Sequence, residues 1–434
     1  MATTLTSQII TNEALLQFEN TLVVAKHADW QYSAAFAKTS KIGQTQYIRI
    51  PVLVQVQVNN LSYPTAATAG AVAETQVALQ IGSTLTAPMT FSDTDMSFRI
   101  EDFSDRFIKN VVEQMAAIFD LSICDAVSNA GVNYFNQAAI QLGTGATAAQ
   151  YSGVAGWVVG DYGVAITSDV LLNAKQLLDD ASCPKSQRYG VLSPKAMRQI
   201  AAAQITLFNS TQKIAKMYDT GELTGYAGIA WSESQSCTTH TNGAQGTLAV
   251  GAGSVVLTTG WAETGALTVT ATAGAIKAGD VFTVAGVYAV NRLTGVTTAN
   301  LQQFTAIADC AIGVTSIPVS PCPITGGAYK NISTTVASKT ATLVGSTGAL
   351  GQESFVFHKS AIALAAPELE TPGGKDKSEF RRSGDTGVAI RYIREYDSIG
   401  AAPGASGAPG WVTRLDLFFG CKIVRPEWVV RIRN

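Results

Sequence analysis

Between Tyr47 and Val58 the chain alternates strictly. Ile48, Ile50, Val52, Val54, Val56 and Val58 fall on one side, and Tyr47, Arg49, Pro51, Leu53, Gln55 and Gln57 on the other. Successive side chains of an extended chain point to opposite faces, so this run predicts a long strand with one apolar face. A second period-two run places Val77, Leu79, Ile81, Leu85, Met89 and Phe91 against Gln76, Ala78, Gln80, Thr84 and Thr90. The Ala-, Thr- and Gly-rich segment Asn59–Glu74 joins the two runs, and together they predict an extended hairpin with its tip in that segment. A lone two-stranded ribbon is marginal in water, so its apolar face must be covered. No neighbouring stretch of sequence is shaped to receive it, and the expected cover is a second copy of the chain.

Elsewhere the period changes to that of a helix. Ile9, Ile10, Leu15, Leu16, Phe18, Leu22 and Val23 recur at helical intervals and predict an N-terminal helical arm over Thr6–Tyr32. Glu101–Ala130 contains neither Gly nor Pro, repeats Phe103, Phe107, Val111, Met115, Ile118 and Phe119, and stops at Gly131. At 1.5 Å per residue that is a spine of roughly 45 Å. Helices over Ser168–Asp180 and Ser193–Ala203 flank a strand at Tyr189–Leu192, an α/β layer.

From Gly243 to Gly351 the texture turns to Thr, Val, Ala and Gly, with short strand-like runs at Ser254–Thr258, Leu267–Thr272, Asp280–Ala285 and Thr340–Val344. This predicts an inserted β-barrel or sandwich of about one hundred residues, a usual domain size. The mixed pattern resumes at Glu353–Ala365. A charged loop is expected over Glu370–Ser383, then strands at Val388–Tyr396 and Leu415–Val424.

Composition narrows the class of protein. Of 434 residues 47% are hydrophobic and only 14% charged, with a formal net charge of −2. Soluble domains carry roughly 25% charge, so much of this surface is expected to be covered by partners. Lys and Arg are scattered, Arg381-Arg382 being the densest pair, which argues against sequence-specific nucleic-acid binding. Met1–Ile10 has neither a basic nor an apolar signal region, and no run of about 18 apolar residues occurs, so neither export nor membrane insertion is expected.

Chemistry is sparse. Cys124, Cys183, Cys237, Cys310, Cys322 and Cys421 show no CxxC spacing and read as packed thiols. His27, His240 and His358 form no HExxH or zinc-finger pattern, and the Gly404–Gly410 run precedes no helix. No metal, cofactor or catalytic residue is therefore assigned. The candidate functional residues are intersubunit contacts: Tyr47, Ile48, Tyr63, Ile81 and Leu85 on the hairpin, and Arg381 and Arg382 in the Lys375–Arg382 cluster.

Lys277-Ala278-Gly279-Asp280-Val281-Phe282-Thr283-Val284-Ala285-Gly286-Val287, followed by Leu301-Gln302-Gln303-Phe304-Thr305, resembles the inserted domain of podovirus coat proteins of the short-tailed Salmonella phage type. Arg106–Ala126, Gly190–Ala203, Glu353–Leu364 and Leu417–Val424 with Arg425-Pro426-Glu427 are similar to further segments of that family, in the same order.

The resemblance implies an α+β chain with the tailed-phage and herpesvirus major capsid fold. Its parts would be an N-terminal arm (1–35), a hairpin loop (36–97), a peripheral domain with the spine helix (98–165) and an apical domain (166–242 and 352–410). An inserted β-barrel (243–351) and a C-terminal strand (411–434) complete it. The implied function is an icosahedral shell around double-stranded DNA, built through a scaffolded procapsid that expands. Its partners would be further copies in pentamers and hexamers, a separate scaffolding protein, a portal, and DNA held without sequence readout. Assembly is expected in the host cytoplasm. Gly400–Gly410 has no counterpart in the family, and the hairpin is longer and more apolar. A bacterial nanocompartment shell and a β-rich adhesin or tail-associated module are the other readings.

Overall fold

Local pattern and long-range capture together determine where the elements begin and end. A computed structural model describes residues 7–33, 45–51, 53, 74–91, 107–128, 157–160, 162–205, 223, 225–258, 260–369, 378–383, 386–397 and 410–434. Four helices are present among them: α1 (Ser7–Thr21), α2 (Lys109–Ser128), α3 (Ser168–Asp180) and α4 (Pro194–Ile205). The predicted arm helix is shorter than its apolar pattern. It ends at Thr21 because Asp120 of α2 accepts hydrogen bonds from the backbone N–H groups of Val23 (2.8 Å), Val24 (3.2 Å) and Ala25 (3.0 Å). A buried carboxylate thus turns the chain where local sequence would let it wind on. The spine is described from a short π turn at Phe107 through the 20 residues of α2, about 30 Å, and the earlier part of the predicted run lies outside the described residues. Helix α4 starts where Ser193-Pro194 predicts, with Ser193 Oγ accepting from Ala196 N at 3.2 Å.

The ribbon of β1 (Thr45–Ile50) and β2 (Thr75–Gln80) is antiparallel, with Ile48 opposite Val77. The described part of its apolar face is covered within the chain, while Val52, Val54, Val56 and Val58 of the predicted long strand lie outside the described residues. Ile48, Leu79 and Ile81 pack on Ala363, Ala365, Phe418 and Val424 of the same chain, which overturns the expectation that nothing local receives them. The second period-two run also breaks: β2 ends at Gln80, and β3 (Ser83–Phe91) leaves the ribbon to pair with β19 (Gly410–Ile423). The same alternation serves both sheets, so no change of period marks the switch.

In the sheet that β3 joins, β19 also pairs with β16 (Ile362–Ala365) and β18 (Ala389–Asp397), and β18 pairs with β17 (Ser378–Arg382). The expected charged loop therefore contains a strand, and Arg381 and Arg382 lie on it. Helices α1 and α2 cover this sheet through Phe18, Phe119, Phe419 and Leu417.

A second sheet runs in the order β4 (Trp157–Gly160), β20 (Val429–Arg433), β15 (Leu350–His358), β5 (Arg188–Leu192), β7 (Ile229–Glu233), β6 (Gly225–Tyr226), with β8 (Thr239–Thr241) on β15. Helices α3 and α4 pack on it through Leu171, Leu178, Ala196 and Ile200, burying Val356, Val430 and Ile432.

The third sheet lies within 243–351, in the order β10 (Gly265–Thr268), β13 (Ser316–Ser320), β12 (Thr297–Ala306), β11 (Val281–Val290), β14 (Thr340–Leu343), β9 (Thr247–Ala249). A bridge between Val250 and Val269 brings its two outer strands together around Phe282, Val284, Phe304 and Ile317. Ser254–Thr258 forms no strand; within it Leu257 bridges Ile324, and Val255 N donates to Ala266 O at 3.1 Å.

Candidate assembly surfaces and their internal anchor

Strand β20 reads Val-Val-Arg-Ile-Arg, so period two places Arg431 and Arg433 on one face and Val430 and Ile432 on the other. The register sets Arg433 opposite Glu353 of β15. Arg431 Nη1 donates to Glu353 Oε2 at 3.1 Å, Arg433 Nε to Glu353 Oε1 at 3.1 Å, and the Tyr162 hydroxyl to Oε1 at 2.6 Å. Further guanidinium hydrogens go to backbone carbonyls: Arg431 to Ser128 (3.1 Å) and Gly279 (2.8 Å), Arg433 to Val344 (2.9 Å). The two arginines and the glutamate are almost wholly buried. Burial alone would raise the Glu353 pKa, but Arg431 and then Arg433 outweigh it and hold the carboxyl at about 2. Burial, followed by the adjacent Glu353 charge, pushes the Tyr162 hydroxyl upward.

Asp280 is the second half of the anchor. It accepts from Lys277 N at 2.8 Å and from Gly243 N at 3.0 Å, and its Oδ1 lies 3.1 Å from His240 Nε2. Gly279 beside it has φ +93° and passes so close to the Ser128 carbonyl that no Cβ fits. The end of α2, both ends of the 243–351 segment and the last strand of the chain therefore meet at one buried ion cluster.

The hairpin candidates separate. Tyr47 is 63% exposed and Arg49 beside it pairs with Glu74 across the ribbon at 3.1 Å. Ile48, Ile81 and Leu85 are buried in the chain's own core, so they do not form an outward contact surface: the apolar face of the ribbon turns inward. Tyr63 lies outside the described residues. Arg381 pairs with Glu379 at 3.2 Å. Arg382 is largely spent within the chain, donating to Ser33 O at 3.1 Å and Ala366 O at 3.2 Å, with Glu368 3.8 Å away. The structure does not bring Tyr47 and the Arg381-Arg382 pair into one site. Glu353, Arg431 and Arg433 were missed by sequence reasoning. The available signal was charge at inward positions of otherwise apolar strands, which demands a buried partner. Further apolar exposure occurs at Leu293 and Val296, in the turn between β11 and β12.

Asp125 in α2 is 1% exposed, and neither carboxylate oxygen has a hydrogen-bond partner among the described residues. Burial raises its pKa to about 7. For a carboxyl with a raised folded pKa the charged form is penalised, so stability falls as pH rises from about 4 to about 7 and stays low above that. Asp125→Asn is expected to raise the urea midpoint at pH 8 and leave it unchanged at pH 4. The gain at pH 8 is on the order of 4 kcal/mol, the titration energy itself, because at pH 4 the protonated carboxyl and the amide are both neutral groups in the same buried place. An equal shift at both pH values would contradict this. All six cysteines are free and buried, and no group of three or more His, Cys, Asp or Glu at metal-binding distance occurs among the described residues. No helix among them is long and apolar enough to cross a membrane.

Comparison with known proteins places these features in context. A family model described as "P22 coat protein - gene protein 5" matches residues 1–431. No curated protein matches the chain. Among solved structures, one from Mycobacterium phage Che8 is 13% identical over 95% of this chain and 90% of its own, with a TM-score of 0.44. The capsid of cyanophage P-SCSP1u is 12% identical over 95% and 88%, with a TM-score of 0.45. The CUS-3 coat protein I-domain is 23% identical over 23% of this chain and 96% of its own, with a TM-score of 0.19.

Proposed function

The chain belongs to the P22 coat protein family, and from that premise we propose how it works as a subunit. It is a structural protein of a phage capsid shell, located in the virion and acting through self-assembly. The observation that carries this is the family match over residues 1–431 of 434. In our reading, copies close into pentamers and hexamers and then into an icosahedron around double-stranded DNA. A separate scaffolding protein and a portal guide assembly in the host cytoplasm, and the procapsid expands as DNA enters. No step requires catalysis. DNA is held without sequence readout, in keeping with a chain of net charge −2.

The domain roles follow the boundaries drawn from the sequence, with the 243–351 insertion stabilising the subunit. Support comes from the buried anchor, which ties that insertion to the spine helix and the C-terminal strand so that all three move together.

The outward edge of the ribbon is our proposed contact between copies, through Tyr47 on its exposed face; Arg381 is a second contact. An exposed tyrosine that becomes buried at an interface contributes about 2 kcal/mol per contact, and a shell repeats each contact many times. Tyr47→Glu is therefore expected to leave the melting temperature of unassembled subunits unchanged while abolishing closed shells, read by sucrose gradient and negative-stain microscopy. Normal shells from the variant would remove Tyr47 from the interface.

A further inference from the structure

Residues 234–238 join β7 to β8 and carry the chain from the second sheet toward the 243–351 insertion. They run along the spine helix and are fastened to it on both sides of Cys237. Ser236 Oγ donates to Ala117 O at 3.1 Å, and Thr238 Oγ1 donates to Ser128 Oγ at 3.1 Å. Ala117, Cys124 and Ser128 follow one another at intervals close to whole turns of α2, so they share one face of it. Cys237, held between the two hydrogen bonds, is thereby set against Cys124. Both side chains are buried in the same core cluster, and Cys237 is the side-chain hydrogen-bond partner of the Cys124 thiol. Burial first, and this hydrogen bond next, push the Cys124 thiol upward, so it stays protonated at neutral pH. Cys237 follows directly on the surface turn at 235–236, where Gln235 is exposed. Of the pair, Cys237 is the one that solvent reaches when that turn opens.

We propose that Cys124 and Cys237 are an oxidisable pair that closes into a disulfide bond and so locks the spine helix to the entrance of the insertion. With a peroxide as oxidant, the Cys237 thiol gives up its proton and its sulfur attacks one peroxide oxygen. The O–O bond breaks, leaving a sulfenic acid on Cys237, and the departing hydroxide takes the proton to become water. The Cys124 sulfur then displaces the sulfenic hydroxyl, which leaves with the Cys124 proton as a second water. The two sulfurs together lose the two electrons that the peroxide gains. Reduced, the junction is held by hydrogen bonds that can open one at a time. Oxidised, it is held by a covalent bond that closes a loop of more than one hundred residues and removes conformational freedom from the unfolded chain.

The test uses the purified full-length chain, incubated with hydrogen peroxide, quenched with N-ethylmaleimide in denaturant and mapped by mass spectrometry without reduction. A linked peptide pair containing Cys124 and Cys237 is expected, in a chain about 2 Da lighter before alkylation, the mass of the two hydrogens lost. The oxidised chain is expected to melt at least about 5 °C higher, and dithiothreitol to reverse both changes. Cys237→Ala is expected to lose the link and the gain in melting temperature together. Cys310→Ala, which removes a buried cysteine of the insertion outside the pair, is expected to keep both. If Cys237→Ala does not fold, Cys237→Ser carries the same comparison, and the peptide map of the parent chain stands by itself. Full alkylation of Cys124 and Cys237 after peroxide, conversion of Cys237 to a sulfinic acid without a link, or a link to another cysteine instead overturns the proposal. A Cys124–Cys237 link that leaves the melting temperature unmoved overturns the lock.

Discussion

Glu353→Ala is expected to lower the stability of the unassembled subunit by about 3–5 kcal/mol, the usual cost of removing one partner from a buried ion cluster. The substitution leaves Arg431 and Arg433 with adjacent positive charges, out of water and without their shared carboxylate. Against a total stability on the order of 5–15 kcal/mol, that is enough to deplete folded subunits. The measurement is the urea midpoint of subunits before assembly, followed by shell yield. A midpoint unchanged from the parent chain would show that the cluster is not a stabilising anchor.

The same residue makes an acid-pH prediction. Its carboxyl titrates at about 2 in the folded chain, below its value of 4.5 in water. A depressed folded pKa contributes stability that is fully present above about 4.5 and is lost as pH falls toward about 2, on the order of 3 kcal/mol. Glu353→Gln, which keeps the shape and removes the charge, is expected to be less stable at pH 7 and to lack that part of the acid sensitivity.

Gly279→Val is expected to have an effect of comparable size by a different route, roughly 3 kcal/mol or more. Two terms add. The φ of +93° is one that side chains rarely adopt, and the new Cβ would overlap the backbone carbonyl of Ser128 and come within 3.1 Å of the His240 ring. Since Ser128 O already accepts from Arg431, the helix end cannot retreat without breaking the ion cluster. Gly313→Ala separates the terms, because Gly313 has φ +87° with nothing within 4 Å, so strain acts there alone at about 1 kcal/mol. The readouts are the melting temperature and the rate of limited proteolysis within 243–351. Equal losses at the two glycines would show that the contact with Ser128 is unimportant.

Much of the secondary structure was legible in advance. Helix α3 spans the predicted Ser168–Asp180, and α4 begins at the predicted Ser-Pro. Ile48 and Val77 are buried while Tyr47 is exposed, as their alternation requires. Two failures were of another kind. The arm helix stops at Thr21 because of a carboxylate about one hundred positions away, and β3 pairs with β19 across more than three hundred positions. Of the candidate contacts, only the exposure of Tyr47 and the charge of the Arg381-Arg382 pair could be read locally. That Arg382 is held by Ser33 and Ala366 could not.

By itself, then, the sequence determined which faces are apolar, where helices start, and to which family the chain belongs, because period, capping residues and segment order are local or linear properties. Only the tertiary structure decided what covers those faces. Tyr162, Gly279, Glu353 and Arg431 are remote in sequence and meet because a buried guanidinium must find a carboxylate and carbonyls wherever the fold brings them. The inward docking of the ribbon has the same origin: alternation states that Ile48 seeks an apolar surface, and the packing of Ala363, Ala365 and Phe418 supplies that surface within the same chain.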